Sequence, residues 1–341
     1  MTTAPFDPDA AAPSGSGIYG LPASPDDARV VVIPVPFEAT TSYGGGTSGG
    51  PRAVFEASKQ VDLFDRETGR PYEAGIAMLE IPEEIVRWNA KAKGIAAAVI
   101  EKGGVVDEVT RQAAAEVNEI SESVNEWVYE MTRALLVSGK MPVVLGGDHS
   151  VPFGAILAYA ETHPNLGILH LDAHADLREA YEGFVWSHAS IFHNVVMKVG
   201  GVDKIVQVGV RDVSNAESAM IDASDGRIIT FFDSDLAVRK EEGATWAEIA
   251  DEIVAALPKD VYLSWDIDGL DPTLCPSTGT PVPGGLSWNE AIGLLRALRR
   301  AGKHIVGLDL CEVSPGETEW DANVGARLLY KMIGFALMTQ K

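Results

Sequence analysis

Positive charge is scarce in this 341-residue chain, where 27 lysines and arginines face 49 aspartates and glutamates for a formal net charge of −22. Nucleic acid and anionic membrane surfaces are therefore poor partners, because phosphate binding needs clustered Lys and Arg, whereas cationic ligands are favoured. Cysteine is scarcer still. Cys275 and Cys311 are too few for a disulfide framework, and neither has a C-x-x-C partner that would suggest zinc or redox chemistry. Long apolar runs are missing as well: Gly, Pro, Asp or Glu interrupts each one well before the roughly 18 residues of a membrane span. The opening MTTAPFDPDAAAPSGSG has no basic residue followed by an apolar stretch, so it does not read as a secretory signal, and a cytoplasmic location is the expectation.

What is present is a hydrophobic content of 46%, enough for a full core. Residues 1–28 begin rich in Pro, Ala, Ser, Gly and Asp and read as a loosely ordered N-terminal arm. Residues 29–341 read as one catalytic domain, with no internal repeat or Pro/Ser linker to divide them. The runs at 29–36, 141–147, 166–174, 204–212, 227–232, 261–268 and 304–312 have the length and β-branched content of buried strands. Between them, Val117, Ile120, Val124, Val128, Met131 and Leu135 mark one face of a long helix, and Ala291, Leu294, Leu295 and Leu298 mark another. Ser287 and Glu290 fit a capping box that starts the second helix, which ends near Gly302. This alternation predicts an α/β fold with a parallel sheet covered by helices on both faces. In such sheets the ligand crevice lies beyond the carboxyl ends of the strands. The polar clusters sit there: GGDHS follows MPVVL, DAHADL follows GILHL, DIDGLDP follows VYLSW, and Glu312 follows GLDLC.

Three clusters carry ligand chemistry. Asp172, His174 and Asp176 alternate with small residues, so an extended backbone would direct all three to one side; Asp266 and Asp268 would do the same on another strand. His149 adds an imidazole beside glycines that allow close backbone approach. If these side chains converge, the four aspartates carry −4, which repels severely in a partly desolvated pocket unless cations are present or protons are taken up. Two divalent ions supply +4. Oxygen and imidazole donors without thiolate suit manganese, with nickel, cobalt or iron as alternatives and zinc less favoured.

With these residues in view, the sequence resembles the ureohydrolase family, which includes arginase, agmatinase, guanidinobutyrase, proclavaminate amidinohydrolase and formimidoylglutamase. The match runs from about residue 29 to the C-terminus through GGGTSGGPRAVFEAS (44–58), GGDHS, DAHADL, SHAS, VGVRD, SWDIDGLDP, TGTPVPGGL and LDLCEVSP. The resemblance implies a three-layer, arginase-like α/β domain around a largely parallel, about eight-stranded sheet, assembled into homotrimers or hexamers. It implies that His149, Asp172, Asp176 and Asp266 hold one ion, and Asp172, His174, Asp266 and Asp268 the other. It further implies that water activated between the ions attacks the guanidinium carbon, with Asp176 orienting it and accepting its remaining proton. His188 in SHAS aligns with the proton-shuttling histidine, although Ala189 follows it where the family often has Gly. Glu312 aligns with the acidic residue that pairs with the guanidinium nitrogens.

The remaining histidines have quieter readings. His170 lies within an apolar run and reads as packed or as orienting a ligand, and His163, His193 and His304 read as packing or surface residues. Asp148, Asp271 and Thr280 fit the task of orienting ligands. LREAYEGFVW (177–186) lacks the Asn, Ser and Thr with which arginase-like members recognise the amino acid end, so arginine is demoted; the DLR-x-x-YEG-x-x-x-SHA pattern and GLDLCEVSP look closer to agmatinase-type members, and that resemblance implies agmatine, cleaved to putrescine and urea. Guanidinobutyrate would use Arg178 for its carboxylate, and free guanidine would fit a tail pocket closed by Phe184 or Trp186. Two readings of other classes are a single-zinc deacetylase on the related fold and a silent binding homologue. The first has no use for His149, Asp176 and Asp268 as additional ligands, and the second would have lost a ligand.

Overall fold

The computed structural model describes residues 6–340; residues 1–5 of the N-terminal arm and residue 341 lie outside the described residues. Eight strands form its sheet: β1 (Val30–Val35), β2 (Ile76–Met78), β3 (Met141–Gly146), β4 (Leu166–Leu171), β5 (Val202–Val208), β6 (Ile228–Phe231), β7 (Asp260–Asp266) and β8 (His304–Cys311). Their order is β2, β1, β3, β8, β7, β4, β5, β6, and every neighbouring pair is parallel. All residues of β1, β3 and β4 are buried, which explains why they read as continuous apolar runs without alternation. Strand β2 escaped the sequence reading because its three residues, IAM, are too few to make a run.

Among the described residues the helices are α1 (Gly50–Ser58), α2 (Glu83–Ile100), α3 (Glu108–Val137), α4 (Phe153–Thr162), α5 (Ile191–Lys198), α6 (Asn215–Asp222), α7 (Asp233–Glu241), α8 (Trp246–Ala255), α9 (Trp288–Arg300) and α10 (Trp320–Thr339). One layer contains α1, α8, α9 and α10, and the opposite layer contains α2 to α5. The result is the three-layer α/β fold expected from the sequence, with its sheet parallel throughout. Val117, Ile120, Val124 and Val128 are buried along α3, whose start is closed by a capping box between Asp107 and Thr110. Helix α9 begins as the sequence indicates: the Ser287 hydroxyl accepts the Glu290 amide at 3.3 Å, and the Glu290 carboxylate accepts the Ser287 amide at 2.9 Å. Its end is marked by Gly302 at φ +67°, a left-handed turn that glycine adopts without strain. Within the arm, Ile18, Tyr19 and Leu21 are buried, and the Tyr19 hydroxyl donates to the Ala326 carbonyl of α10 at 3.1 Å.

The strand order positions the site. β3, β8, β7 and β4 are adjacent at the centre of the sheet, although they are far apart in sequence. The clusters after those strands are the four that carry His149, Glu312, Asp266 with Asp268, and Asp172 with His174 and Asp176. Behind them the centre is tightly packed. Gly307 of β8 lies under the ring of Tyr159 from α4, whose hydroxyl donates to the Pro142 carbonyl at 2.7 Å. A Cβ at Gly307 would fall 2.4 Å from that ring. Gly307→Ala is therefore expected to cost about 1–3 kcal/mol of stability by overpacking. Urea unfolding measures it, and a midpoint equal to wild type would contradict this packing.

Candidate metal centre

The ligand segments begin where the strands stop, and their backbone is less regular than an extended reading implies. Strand β4 ends at Leu171; after it, Asp176 adopts φ +54°, a left-handed conformation rare for a residue with a side chain. That geometry is fixed from both sides. The Asp176 carbonyl accepts the amides of Phe192 and His193 at the start of α5, and the next amide, of Leu177, donates to the buried Glu217 carboxylate at 3.1 Å. After β7, residues Ile267–Gly269 form a 3-10 turn, and Asp266 Oδ1 accepts the Asp268 amide at 2.8 Å. The two aspartates converge through this turn instead of through strand alternation. Glu312 is also left-handed, at φ +63°, with its amide donating to the Gly147 carbonyl and its carboxylate accepting the His149 amide at 3.0 Å.

The side chains meet in two overlapping groups. His149 Nδ1 faces Asp172 Oδ2 at 3.0 Å, Asp176 Oδ2 at 3.4 Å and Asp266 Oδ2 at 3.5 Å. His174 Nδ1 faces Asp172 Oδ1 at 3.3 Å and Asp268 Oδ2 at 3.2 Å. Asp172 thus turns one oxygen to each group, as a shared ligand would. A single ring nitrogen cannot donate to three carboxylates at once, so the arrangement around His149 is that of donors surrounding a common point. Its other nitrogen, Nε2, lies 3.0 Å from Ser264 Oγ, which in turn donates to Asp309 Oδ1 at 3.2 Å. With Nε2–H directed at Ser264, Nδ1 is the nitrogen that faces the cluster and would offer its lone pair to an ion once its proton is displaced.

His170 also touches the cluster, with Nε2 2.8 Å from Asp172 Oδ2. Gln207 decides its role. The Gln207 amide nitrogen donates to the Ala175 carbonyl at 2.7 Å and its oxygen accepts the Thr230 hydroxyl at 2.9 Å, so the NH2 group faces His170 Nδ1 at 3.0 Å. His170 therefore carries its proton on Nε2 and gives it to Asp172, an orienting bond of the kind expected from its place in an apolar run. Ser264, Gln207 and Asp309 were not singled out in the sequence. Their signal is a polar residue at an interior position of an otherwise apolar strand.

His188 stands beside the cluster, with Nδ1 3.5 Å from Thr40 Oγ1 and its ring edge-on to Tyr181 at 6.4 Å. Burial and the positive charge at His174 lower its pKa to about 4. It is a neutral base at pH 7, able to take a proton and pass it on, and does not hold one in reserve. Glu312 is roofed by Gly279, where an added Cβ would lie 3.3 Å from Oε2. Gly279 is itself pressed by Gly44, where an added Cβ would fall 2.3 Å from the Gly279 carbonyl oxygen. Gly44 belongs to the loop that the buried Glu38 gathers: Glu38 accepts the Gly46 amide at 2.7 Å, the Thr47 hydroxyl at 3.1 Å and the Ser48 amide at 3.2 Å, and pairs with Lys93. Thr280 Oγ1 is 3.5 Å from Asp268 Oδ2, whereas Asp271 turns away and closes its own loop on Thr273. Asp148 is held by Ser150. Arg178 lies 3.7 Å from Glu217 and over the Tyr181 ring at 5.1 Å. Phe184 and Trp186 are both buried in the layer beneath, Trp186 edge-on to Phe153.

These segments, in this order along an all-parallel sheet, have counterparts in known proteins. The model of the arginase family matches residues 28–334. The N(1)-aminopropylagmatine ureohydrolase of Thermus thermophilus is 35% identical over 319 residues, covering 93% of this chain and 94% of that one. The guanidinobutyrase of Pseudomonas aeruginosa is 29% identical over 317 residues, covering 92% and 88%. The chain belongs to the arginase family. It is a hydrolase acting on linear amidines, of the agmatinase-like kind within that family. Among solved structures, the agmatine ureohydrolase of Thermoplasma volcanium superposes with a TM-score of 0.68 at 25% identity, covering 92% of this chain and 91% of that one. Proclavaminate amidino hydrolase from Streptomyces clavuligerus, at 22% identity, shares the fold with a TM-score of 0.72 and coverage of 97% and 99%.

The arginase family has a binuclear metal centre, and the donor set here fits one. Asp148, Asp172, Asp176, Asp266, Asp268, Asp309 and Glu312 are all buried, yet among the described residues no Lys or Arg lies within 4.0 Å of their carboxylates. Without metal, protons take the place of cations. Burial and the neighbouring Asp172 push Asp176 up to about 7, and burial with Asp268 and Asp172 holds Asp266 well above the usual carboxylate range. Burial works against charge on the two imidazoles, but Asp172 with Asp176 holds His149 well above its ordinary value, and Asp268 with Asp172 pushes His174 up to about 12. A divalent ion entering this site must displace those protons. Affinity for divalent metal is therefore expected to fall as pH drops through about 7, with protons released on binding. Titration calorimetry in buffers of different ionisation enthalpy reads that release directly, and an identical heat in both would contradict the proton-filled site.

Proposed function

We propose that this chain hydrolyses the guanidinium carbon–nitrogen bond of an amine-tailed substrate, agmatine in the first instance, giving putrescine and urea. The observation that carries the reading is the buried cluster of carboxylates beside Glu312, to which, among the described residues, no Lys or Arg is paired, so that its charge is left to be met by metal ions and a guanidinium. His149, Asp172, Asp176 and Asp266 would hold one divalent ion, and Asp172, His174, Asp266 and Asp268 the other, with manganese ahead of nickel for this oxygen and imidazole set. When bound, the ions would lower the pKa of water and supply a nucleophile at neutral pH.

The remaining chemistry belongs to the side chains. Glu312, held left-handed by its backbone bonds, pairs with the guanidinium nitrogens and fixes the carbon over the cluster. Asp176 accepts the proton left on the attacking water oxygen as the planar carbon becomes tetrahedral, from its place against His149 Nδ1 at 3.4 Å. The amine that departs needs a proton, and the neutral imidazole of His188 relays it. Water adds across the broken C–N bond: oxygen stays on carbon as urea, and both protons of the water end on the departing amine, which leaves as an alkylammonium.

A carboxylate-tailed substrate is less well supported, since Arg178 is engaged with Glu217 and Tyr181. Free guanidine is also less well supported, since Phe184 and Trp186 are committed to the core. A longer, doubly cationic tail is the second reading, favoured by the similarity to the Thermus thermophilus enzyme named for N(1)-aminopropylagmatine. A deacetylase would leave His149, Asp176 and Asp268 without a task, although they converge with the rest. The reading includes a cytoplasmic location and assembly of identical subunits, trimer or hexamer, in line with the family resemblance. Urea release from manganese-loaded protein, compared across agmatine, N(1)-aminopropylagmatine, arginine, 4-guanidinobutyrate and guanidine, tests the substrate. Turnover of agmatine or its aminopropyl derivative is expected, and no urea from any of them, with two metals bound, would sink the reading. Within that assay Glu312→Gln is expected to lower kcat/KM by about 10–100-fold, the size of a lost charge-assisted bond. His188→Ala should lower kcat by about 100-fold or more at pH 7, the range for a missing proton relay.

A further inference from the structure

Arg211 donates every bond of its guanidinium to backbone carbonyls. Nη2 reaches the Asp268 carbonyl at 2.7 Å, the Val282 carbonyl at 3.0 Å and the Leu270 carbonyl at 3.3 Å; Nε reaches Val282 at 3.2 Å, and Nη1 reaches Gly209 at 3.0 Å. Among the described residues no carboxylate pairs with it at 4.0 Å or less. Its own backbone is tied elsewhere: the Arg211 and Asp212 amides donate to the Ala173 carbonyl at 2.8 Å and 3.0 Å, between Asp172 and His174. One residue thus grips the loop after β4 through its main chain and the loop after β7 through its side chain. Gly284 and Gly285, at φ +104° and +94°, leave the guanidinium its space; a Cβ at Gly285 would lie 3.0 Å from Nη2.

We propose that Arg211 is the positioning residue for one half of the metal centre, setting the spacing of Asp172 and His174 against Asp268. Through Val282 it also holds the segment that carries Gly279 and Thr280 to the edge of Glu312. The inference rests on the reading of these residues as metal ligands. Lysine cannot replace arginine here, because a point charge with flexible donors does not span carbonyls on three segments in one plane.

Arg227 supplies a matched control. It donates to the Val196, Val199 and Val202 carbonyls at 2.9, 3.4 and 3.1 Å, at the opposite end of the sheet from the cluster. Manganese binding to full-length wild type, Arg211→Lys, Arg211→Gln and Arg227→Lys is measured by calorimetry and EPR, with the thermal midpoint of each. Wild type and Arg227→Lys are expected to bind two ions and give the signal of a coupled pair. Both Arg211 variants should keep one ion near wild-type affinity, bind the other about 10–100-fold more weakly as orienting partners of ligands generally do, and show the signal of an isolated ion. Two ions retained at wild-type affinity in both Arg211 variants overturns the proposal. Equal weakening of both ions, with a fall in midpoint matching Arg227→Lys, overturns it too, since that is a purely structural effect. Wild type binding fewer than two ions overturns the ligand reading itself, a result separate from either.

Discussion

Everything at the carboxyl end of this sheet depends on buried negative charge that the chain's own cations do not neutralise. Its aspartates lie within 3.5 Å of imidazole nitrogens, in a region where electrostatic interactions are strengthened by low dielectric. Protons or metal ions can balance such a cluster: burial with neighbouring carboxylates raises Asp176 and Asp266, and the aspartates raise His149 and His174, all in the direction of proton uptake. Divalent ions do it with more charge in fewer positions, which leaves the carboxylates deprotonated and able to orient water.

Holding like charges together requires a rigid frame, and the fold supplies it at the centre of the sheet. β3, β8, β7 and β4 are bonded edge to edge, so their carboxyl ends are fixed about one strand spacing apart. The loops are then pinned to one another. Glu312 takes the His149 amide, Asp268 Oδ1 takes the Ala173 amide at 3.0 Å, and Arg211 joins the Ala173 and Asp268 segments. In parallel sheets ligand sites form beyond the carboxyl ends of the strands, and the polar clusters follow directly after those ends.

Much of this was legible in the sequence, and the reason is local. A buried parallel strand is a short apolar run, so a polar cluster directly after it is visible without knowing the sheet order; DAHADL, DIDGLDP and GGDHS announce themselves in that way. Their convergence was an assumption, because adjacency of β3, β8, β7 and β4 is a property of topology and not of any one segment. The irregular backbone was hidden for a similar reason. Alternating spacing suggested extended strands for DAHAD and DID, whereas Asp176 is left-handed and Ile267–Gly269 is a 3-10 turn. Supporting residues were the least visible. Ser264, Gln207, Asp309 and Arg211 act through partners distant in sequence, and no local pattern states whose carbonyl or imidazole each will meet.

Of the six left-handed residues other than glycine among the described residues, two, Asp176 and Glu312, lie in the cluster and connect strain to chemistry. Such a conformation costs on the order of 1–3 kcal/mol for a residue with a side chain and persists only when its surroundings over-determine it. Both positions meet that condition. Asp176 is gripped by the first amides of α5 and by Glu217, and Glu312 by Gly147, His149 and the Thr278 hydroxyl, which donates to its carbonyl at 2.8 Å. Both carboxylates are thereby turned out of the direction an extended strand end would give them, one toward the imidazole of His149 and the other beneath Gly279. An ordinary structural aspartate or glutamate at a strand end has no need of such a backbone. Tyr19, Asn165, Glu182 and Asp225 are left-handed too, so the conformation alone does not mark a reacting residue; what sets Asp176 and Glu312 apart is that their carboxylates lie in the buried cluster, and the bonds that sustain their backbones come from elements outside it.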